Sequence, residues 1–166
     1  MLKKEEFVSR FGGVFEHSPW VAERAFDAGL PAVLTSDVVK SAMNDAFRAA
    51  STEERLDVLR AHPDLAGKLA VAGKLTDDSR KEQAGAGLDR LSAEEHARFT
   101  ALNTAYMDKF GFPFIIAVKG HNKDSILEAF ETRVNNSAEA ELETAAAQVE
   151  RIAGFRIDAI LHEDET

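Results

Sequence analysis

Proline falls at only four places in this chain, Pro19, Pro31, Pro63 and Pro113. Each one bars a regular helix from running through it, because the ring clashes with the preceding turn and there is no N–H to donate. Between the prolines, apolar residues return at intervals of three and four, the period of an amphipathic helix. A chain marked in this way folds as a series of helices whose breaks are fixed in advance.

In EEFVSRFGGVFEHS, Phe7, Phe11 and Val14 or Phe15 keep helical spacing. Ser18 and Pro19 read as N-cap and first position of a second helix, closed by Gly29 and Pro31. Thr35 or Ser36 opens a third, with Val39, Met43 and Phe47 along one face. Ser51-Thr52-Glu53-Glu54 has capping-box spacing and starts a helix that stops at His62. Pro63 can open a short helix carrying Leu65 and Leu69.

Another helix is expected within 76–91, weakened by Gly85 and Gly87. Ser92 and Glu95 form a second capping box, leading through Phe99, Leu102 and Tyr106 to a stop at Gly111. FPFIIAVKG has no helical period and no evident strand partner, so it reads as a buried, extended connection. Asp124 is expected to cap a helix through Ile126, Leu127, Phe130 and Val134, and Ser137 a long final one. No repeat or flexible linker interrupts the pattern. The expectation is an all-α protein, one compact multi-helix domain over 1–166 with roughly eight helices.

A length of 166 residues, 45% hydrophobic and 30% charged, suits one soluble domain with a real core. The formal net charge is -9 and no Lys/Arg cluster stands out, which disfavours nucleic acid or an anionic membrane as partner. With no cysteine there is no disulfide framework, thiol nucleophile or thiolate metal site. MLKKEEFVSRFGG has no apolar signal core, and HEDET is no lipidation or organelle address. FPFIIAV is far short of the ~20 apolar residues of a membrane helix. A cytoplasmic protein is expected.

Three places break the pattern, besides the histidine set at a forced helix end in RAHPDLAGK. Proline pushes the residue before it out of the α region, so His62 is the side chain at the break, and its unperturbed pKa is near neutrality. In the last helix Arg156 lies four residues from both Ile152 and Ile160, on their apolar face. A buried guanidinium needs an anionic or strongly accepting partner, and an internal salt bridge or a snorkelling stem meets that need as well as a ligand does. Ser79, Glu82 and Gln83 stand at i, i+3 and i+4, a hydrogen-bonding face that reads equally as a capping box or a wet surface. The third is 112–117, an apolar stretch whose irregular backbone leaves amides for a ligand unless the protein satisfies them. His17, His96, His121 and His162 have no metal-ligand spacing, and no phosphate loop or dinucleotide fingerprint is present.

Taken in order, RAHPDLAGKLA, SRKEQAGAGLDRL, LNTAYMDKFGFPFIIAVKG, ILEAFETRVNN and ERIAGFRIDAIL resemble the 2-oxo-4-hydroxy-4-carboxy-5-ureidoimidazoline (OHCU) decarboxylase family, over nearly the whole chain. The resemblance implies an all-helical fold, a homodimer, no metal or organic cofactor, and the last step from urate to (S)-allantoin. It puts the catalytic histidine on His62 and the catalytic glutamate on Glu82. Substrate contacts fall on Pro63, Ser79, Gln83 and Arg156, with backbone contacts along Phe112, Phe114, Ile115, Ile116 and Ala117. The competing readings are a non-catalytic helical domain that binds ureides or acts as a scaffold, a metal-dependent hydrolase built from His62, Asp64, Glu82 and His96, and a purely structural bundle.

Overall fold

The computed structural model describes residues 2–65 and 75–165. Among them are eight α-helices and no strand. They are α1 (Lys4–Phe11), α2 (Trp20–Asp27), α3 (Ser36–Ala49), α4 (Thr52–Ala61), α5 (Asp77–Gly85), α6 (Ala93–Phe110), α7 (Lys123–Arg133) and α8 (Ala138–Glu165). The short helix expected after Pro63 falls mostly on 66–74, outside the described residues. No described helix is long and apolar enough to cross a membrane.

The chain packs as two compact units, Met1–Ala61 with Val149–Thr166, and His62–Gln148. In the first, α2 packs on both α1 and α3. Phe7 meets Phe11 at 5.0 Å and Phe26 at 5.9 Å between ring centroids, while Phe15 meets Phe47 at 5.2 Å. α1 stops at Phe11, since Gly12 and Gly13 follow; Val14 and Phe15 are buried from a turn and not from a longer helix. Helix α2 begins one residue later than Pro19, and the Ser18 hydroxyl donates to the Glu16 carbonyl instead of capping. Thr35 does cap α3, accepting from the Val38 N–H at 3.3 Å. Lys40 pairs with Asp158 at 2.9 Å and Arg48 Nε donates to Glu150 at 2.8 Å, fastening α3 to α8.

In the second unit α6 carries the full capping box of Ser92 and Glu95 and ends at Gly111, whose φ of 77° is the left-handed conformation that glycine takes without cost. α7 is capped by Asn122 and not by Asp124: Asn122 accepts from the Ser125 N–H at 2.9 Å, and Ser125 answers the Asn122 N–H. Asparagine does this two residues earlier than expected because its side-chain oxygen reaches the third N–H as well as an aspartate does. The core here is aromatic. Phe114 stacks on Phe130 at 3.9 Å, and Tyr106 meets Phe114 edge-on at 5.4 Å.

Candidate active site

α4 ends at Ala61, so His62 is the first residue beyond it, and its side chain is buried. Two carboxamides fix the backbone that follows. Gln83 Nε2 donates to the Asp64 carbonyl at 3.3 Å, and Asn103 Nδ2 to the Leu65 carbonyl at 2.9 Å. The proline break and the Ser79 face, 17 residues and more apart in sequence, are therefore brought together by one hydrogen bond from Gln83.

The Ser79 face is no capping box. Thr76 is the N-cap of α5 and accepts from the Ser79 N–H at 3.2 Å, which puts Ser79 inside the helix. Ser79 and Gln83 are both buried and Glu82 is half-buried, so the face turns away from solvent. Pro63 is half-buried beside His62. A buried hydroxyl and amide are costly unless they are hydrogen-bonded, and Gln83 meets that need through the Asp64 carbonyl.

The stretch 112–117 is buried throughout and lacks regular structure after Phe112. Its polar backbone is partly engaged within the protein: the Ile115 carbonyl accepts from Arg133 Nη1 at 2.7 Å, and the Ala117 N–H donates to Gln148 Oε1 at 2.9 Å. Helix α6 joins this stretch to the histidine turn. Asn103 holds Leu65, and Tyr106, one helical turn on, packs against Phe112 and Phe114. His62, Pro63, Ser79, Glu82, Gln83 and 112–117 thus belong to one unit.

Arg156 belongs to the other. It is buried, as its place in the apolar stripe requires, and its Nη1 lies 2.9 Å from Glu16 Oε2 and 3.4 Å from the Val14 carbonyl. The internal salt bridge weighed for it is present. Glu16 itself escaped the sequence reading; the available signal was a lone acid directly after the apolar pair Val14-Phe15.

Tyr106, Arg133 and Glu141 were also missed. Glu141 is fully buried and accepts from the Tyr106 hydroxyl at 2.6 Å, Arg133 Nε at 2.8 Å and Asn136 Nδ2 at 3.1 Å. Burial and that bond to Glu141 push the Tyr106 hydroxyl far above its usual pKa, so it is a fixed donor. Of the remaining histidines, His121 Nδ1 lies 3.0 Å from the Ser125 hydroxyl, and His17 and His162 are exposed. No group of three or more His, Asp or Glu among the described residues is placed to hold a metal ion.

Helices alone among the described residues, a buried histidine at a helix break and an inward polar face define a helical protein with a candidate small-molecule site. A family model described as OHCU decarboxylase matches residues 1–158. The chain is 44% identical over 156 residues to the 2-oxo-4-hydroxy-4-carboxy-5-ureidoimidazoline decarboxylase of Haloferax volcanii, covering 94% of this chain and 89% of that one. It is 40% identical over 166 residues to the uric acid degradation bifunctional protein of Bacillus subtilis, covering 99% of this chain and 32% of that protein. A crystal structure of (S)-allantoin synthase superposes with a TM-score of 0.77 at 32% identity, over 96% of this chain and 51% of that one. The chain belongs to the OHCU decarboxylase family.

Proposed function

We propose that this protein decarboxylates OHCU to (S)-allantoin without a cofactor, after urate has been oxidised and 5-hydroxyisourate opened, and that residues 1–166 act as one catalytic domain. The observation that carries this reading is the buried His62 at the helix break, in a turn that Gln83 fastens to the helix bearing Glu82.

The substrate bears a hydroxyl and a carboxylate on one carbon beside a ring C=N. As CO2 leaves, the electron pair of the broken C–C bond passes into the C=N, and the enol-like product takes one proton on one face. The substrate contains its own electron sink, so the protein's work is to move protons and orient groups. His62 is the general base for the substrate hydroxyl, placed by the turn that ends α4. Glu82 has two chemically distinct assignments, repulsion of the departing carboxylate or protonation of the new C–H centre. Arg156 holds an anionic or carbonyl oxygen, while Pro63, Ser79, Gln83 and the backbone of 112–117 fix the ring and ureido groups; these roles rest on the family resemblance. On the same ground the working form is a homodimer in the cytoplasm, and sedimentation of the purified protein tests the first of these.

The test generates OHCU in situ from urate with urate oxidase and hydroxyisourate hydrolase and follows the circular dichroism of the allantoin formed. Wild-type protein gives optically active allantoin rapidly. His62→Ala lowers the rate by about 100-fold or more, as expected for a lost acid–base group. Glu82→Gln separates its two assignments: if Glu82 delivers the proton, substrate is still consumed and the product loses optical activity. If it acts on the carboxylate, consumption slows and the product stays chiral. Unchanged spontaneous decay to racemate in the presence of wild-type protein would reject the decarboxylase and favour a ureide-binding domain.

A further inference from the structure

We propose that Gln148 and Arg133 are positioning residues, which set the backbone of 115–117 for the substrate from behind. The proposal rests on the decarboxylase reading, and neither residue is among those that the resemblance assigns. Gln148 Oε1 accepts the Ala117 N–H at 2.9 Å, and Arg133 Nη1 donates to the Ile115 carbonyl at 2.7 Å. A clamp on the Ile115 carbonyl and the Ala117 N–H fixes the backbone on both sides of Ile116, within the stretch whose backbone the family resemblance assigns to the substrate.

The clamp is rigid. Arg133 is nine-tenths buried, its Nε is held by Glu141 at 2.8 Å, and its guanidinium lies 4.4 Å over the Phe114 ring. Glu141 is fixed in turn by Tyr106 and Asn136. A guanidinium locked on three sides has no freedom to lose when substrate binds, and binding in a pre-organised site escapes that entropic cost. Gln148 is only half-buried on α8, so it can be replaced without opening the core. A purely structural clamp would influence stability; a positioning clamp influences ground-state binding.

The decisive variants are Gln148→Met, which keeps size and removes the acceptor, and Gln148→Glu, which keeps an acceptor oxygen. Gln148→Met raises KM for OHCU by about tenfold with kcat within about twofold, as the loss of one hydrogen bond at the binding site predicts. Calorimetric affinity for (S)-allantoin falls in parallel, and Gln148→Glu restores KM. Wild-type KM in Gln148→Met overturns the proposal, as does a lowered midpoint and kcat with KM unchanged. If wild-type protein itself forms no chiral allantoin, the parent reading has failed and this one falls with it; a wild-type protein that turns over normally isolates the failure to the clamp.

Discussion

A charged group with almost no contact with water is held in place by whatever neutralises it. Glu16 and Arg156 are both buried, and they lie 2.9 Å apart. Removing one member of such a pair strands the other, which is far costlier than never having had either. Glu16→Ala is therefore expected to lower the unfolding free energy by roughly 3–5 kcal/mol in urea titrations, and Glu16→Gln by less, since an amide oxygen still accepts from the guanidinium. If Arg156 also serves the substrate, Glu16→Gln leaves a fold that binds OHCU differently. A loss of stability with unaltered KM would mean that the pair is structural only. The same arithmetic applies to Glu141, a fully buried carboxylate that accepts from three donors.

Helix ends are where local chemistry and tertiary contact meet, and the start of α4 shows both. Glu54 answers the Ser51 N–H at 3.1 Å while the Ser51 hydroxyl takes the Glu54 N–H, and the Arg24 guanidinium of α2 closes on the same carboxylate. The Arg24 hydrogen bond first, and the Ser51 N–H second, pull the Glu54 carboxyl from 4.5 down to about 2. A depressed folded-state pKa favours the ionised form in the fold. The stabilisation is complete above about 4.5 and is lost as pH falls toward 2. Carbon-detected NMR titration should place the Glu54 midpoint near 2 in wild type, and Arg24→Ala should move it upward yet leave it below 4.5, because Ser51 remains.

At this scale the sequence was most legible. The Ser51–Glu54 and Ser92–Glu95 boxes, the Thr35 cap, the Ser137 hydroxyl that takes the Ala140 N–H and the stop at Gly111 all lie where three-residue spacing puts them. The buried, irregular character of 112–117 was legible as well, because no helical period fits it. What escaped were bonds between residues distant in sequence, which have no local pattern: Tyr106 to Glu141, Arg133 to Ile115, Asn103 to Leu65. Glu141 was nevertheless open to the argument that singled out Arg156. It stands four residues before Ala145 and eight before Val149, on the buried stripe of α8. Sequence reasoning singled out the arginine of that stripe and passed over the acid at its head.

For the molecule as a whole, charge sets the terms on which a ligand arrives. The net charge is -9, and the substrate of the proposed reaction is a carboxylate. Arg156, offset by Glu16, adds no uncompensated cation to draw it in. Diffusional encounter is then opposed by the mean field, and salt relieves the opposition because the screening length falls from about 30 Å at 0.01 M to about 8 Å at 0.15 M. kcat/KM is expected to rise about two- to threefold over that range in a neutral salt, with kcat unaffected. A fall with salt would reveal a local positive field strong enough to override the net charge.

The first unit is assembled from two stretches of chain, with all of the second inserted between them. On the ribosome this order has a consequence. Residues 62–148 leave the exit tunnel as one uninterrupted piece, whereas the earlier helices must wait for the chain from Val149 onward before their own core can close. Glu16 is made long before Arg156, and until that arginine is synthesised its carboxylate has no buried cation to meet. Nascent chains generally fold from the N-terminus inward. Here the middle of the message is the part whose folding need not wait, and the opening helices, with a carboxylate destined for the interior, are the part that a chaperone would have to keep from premature collapse.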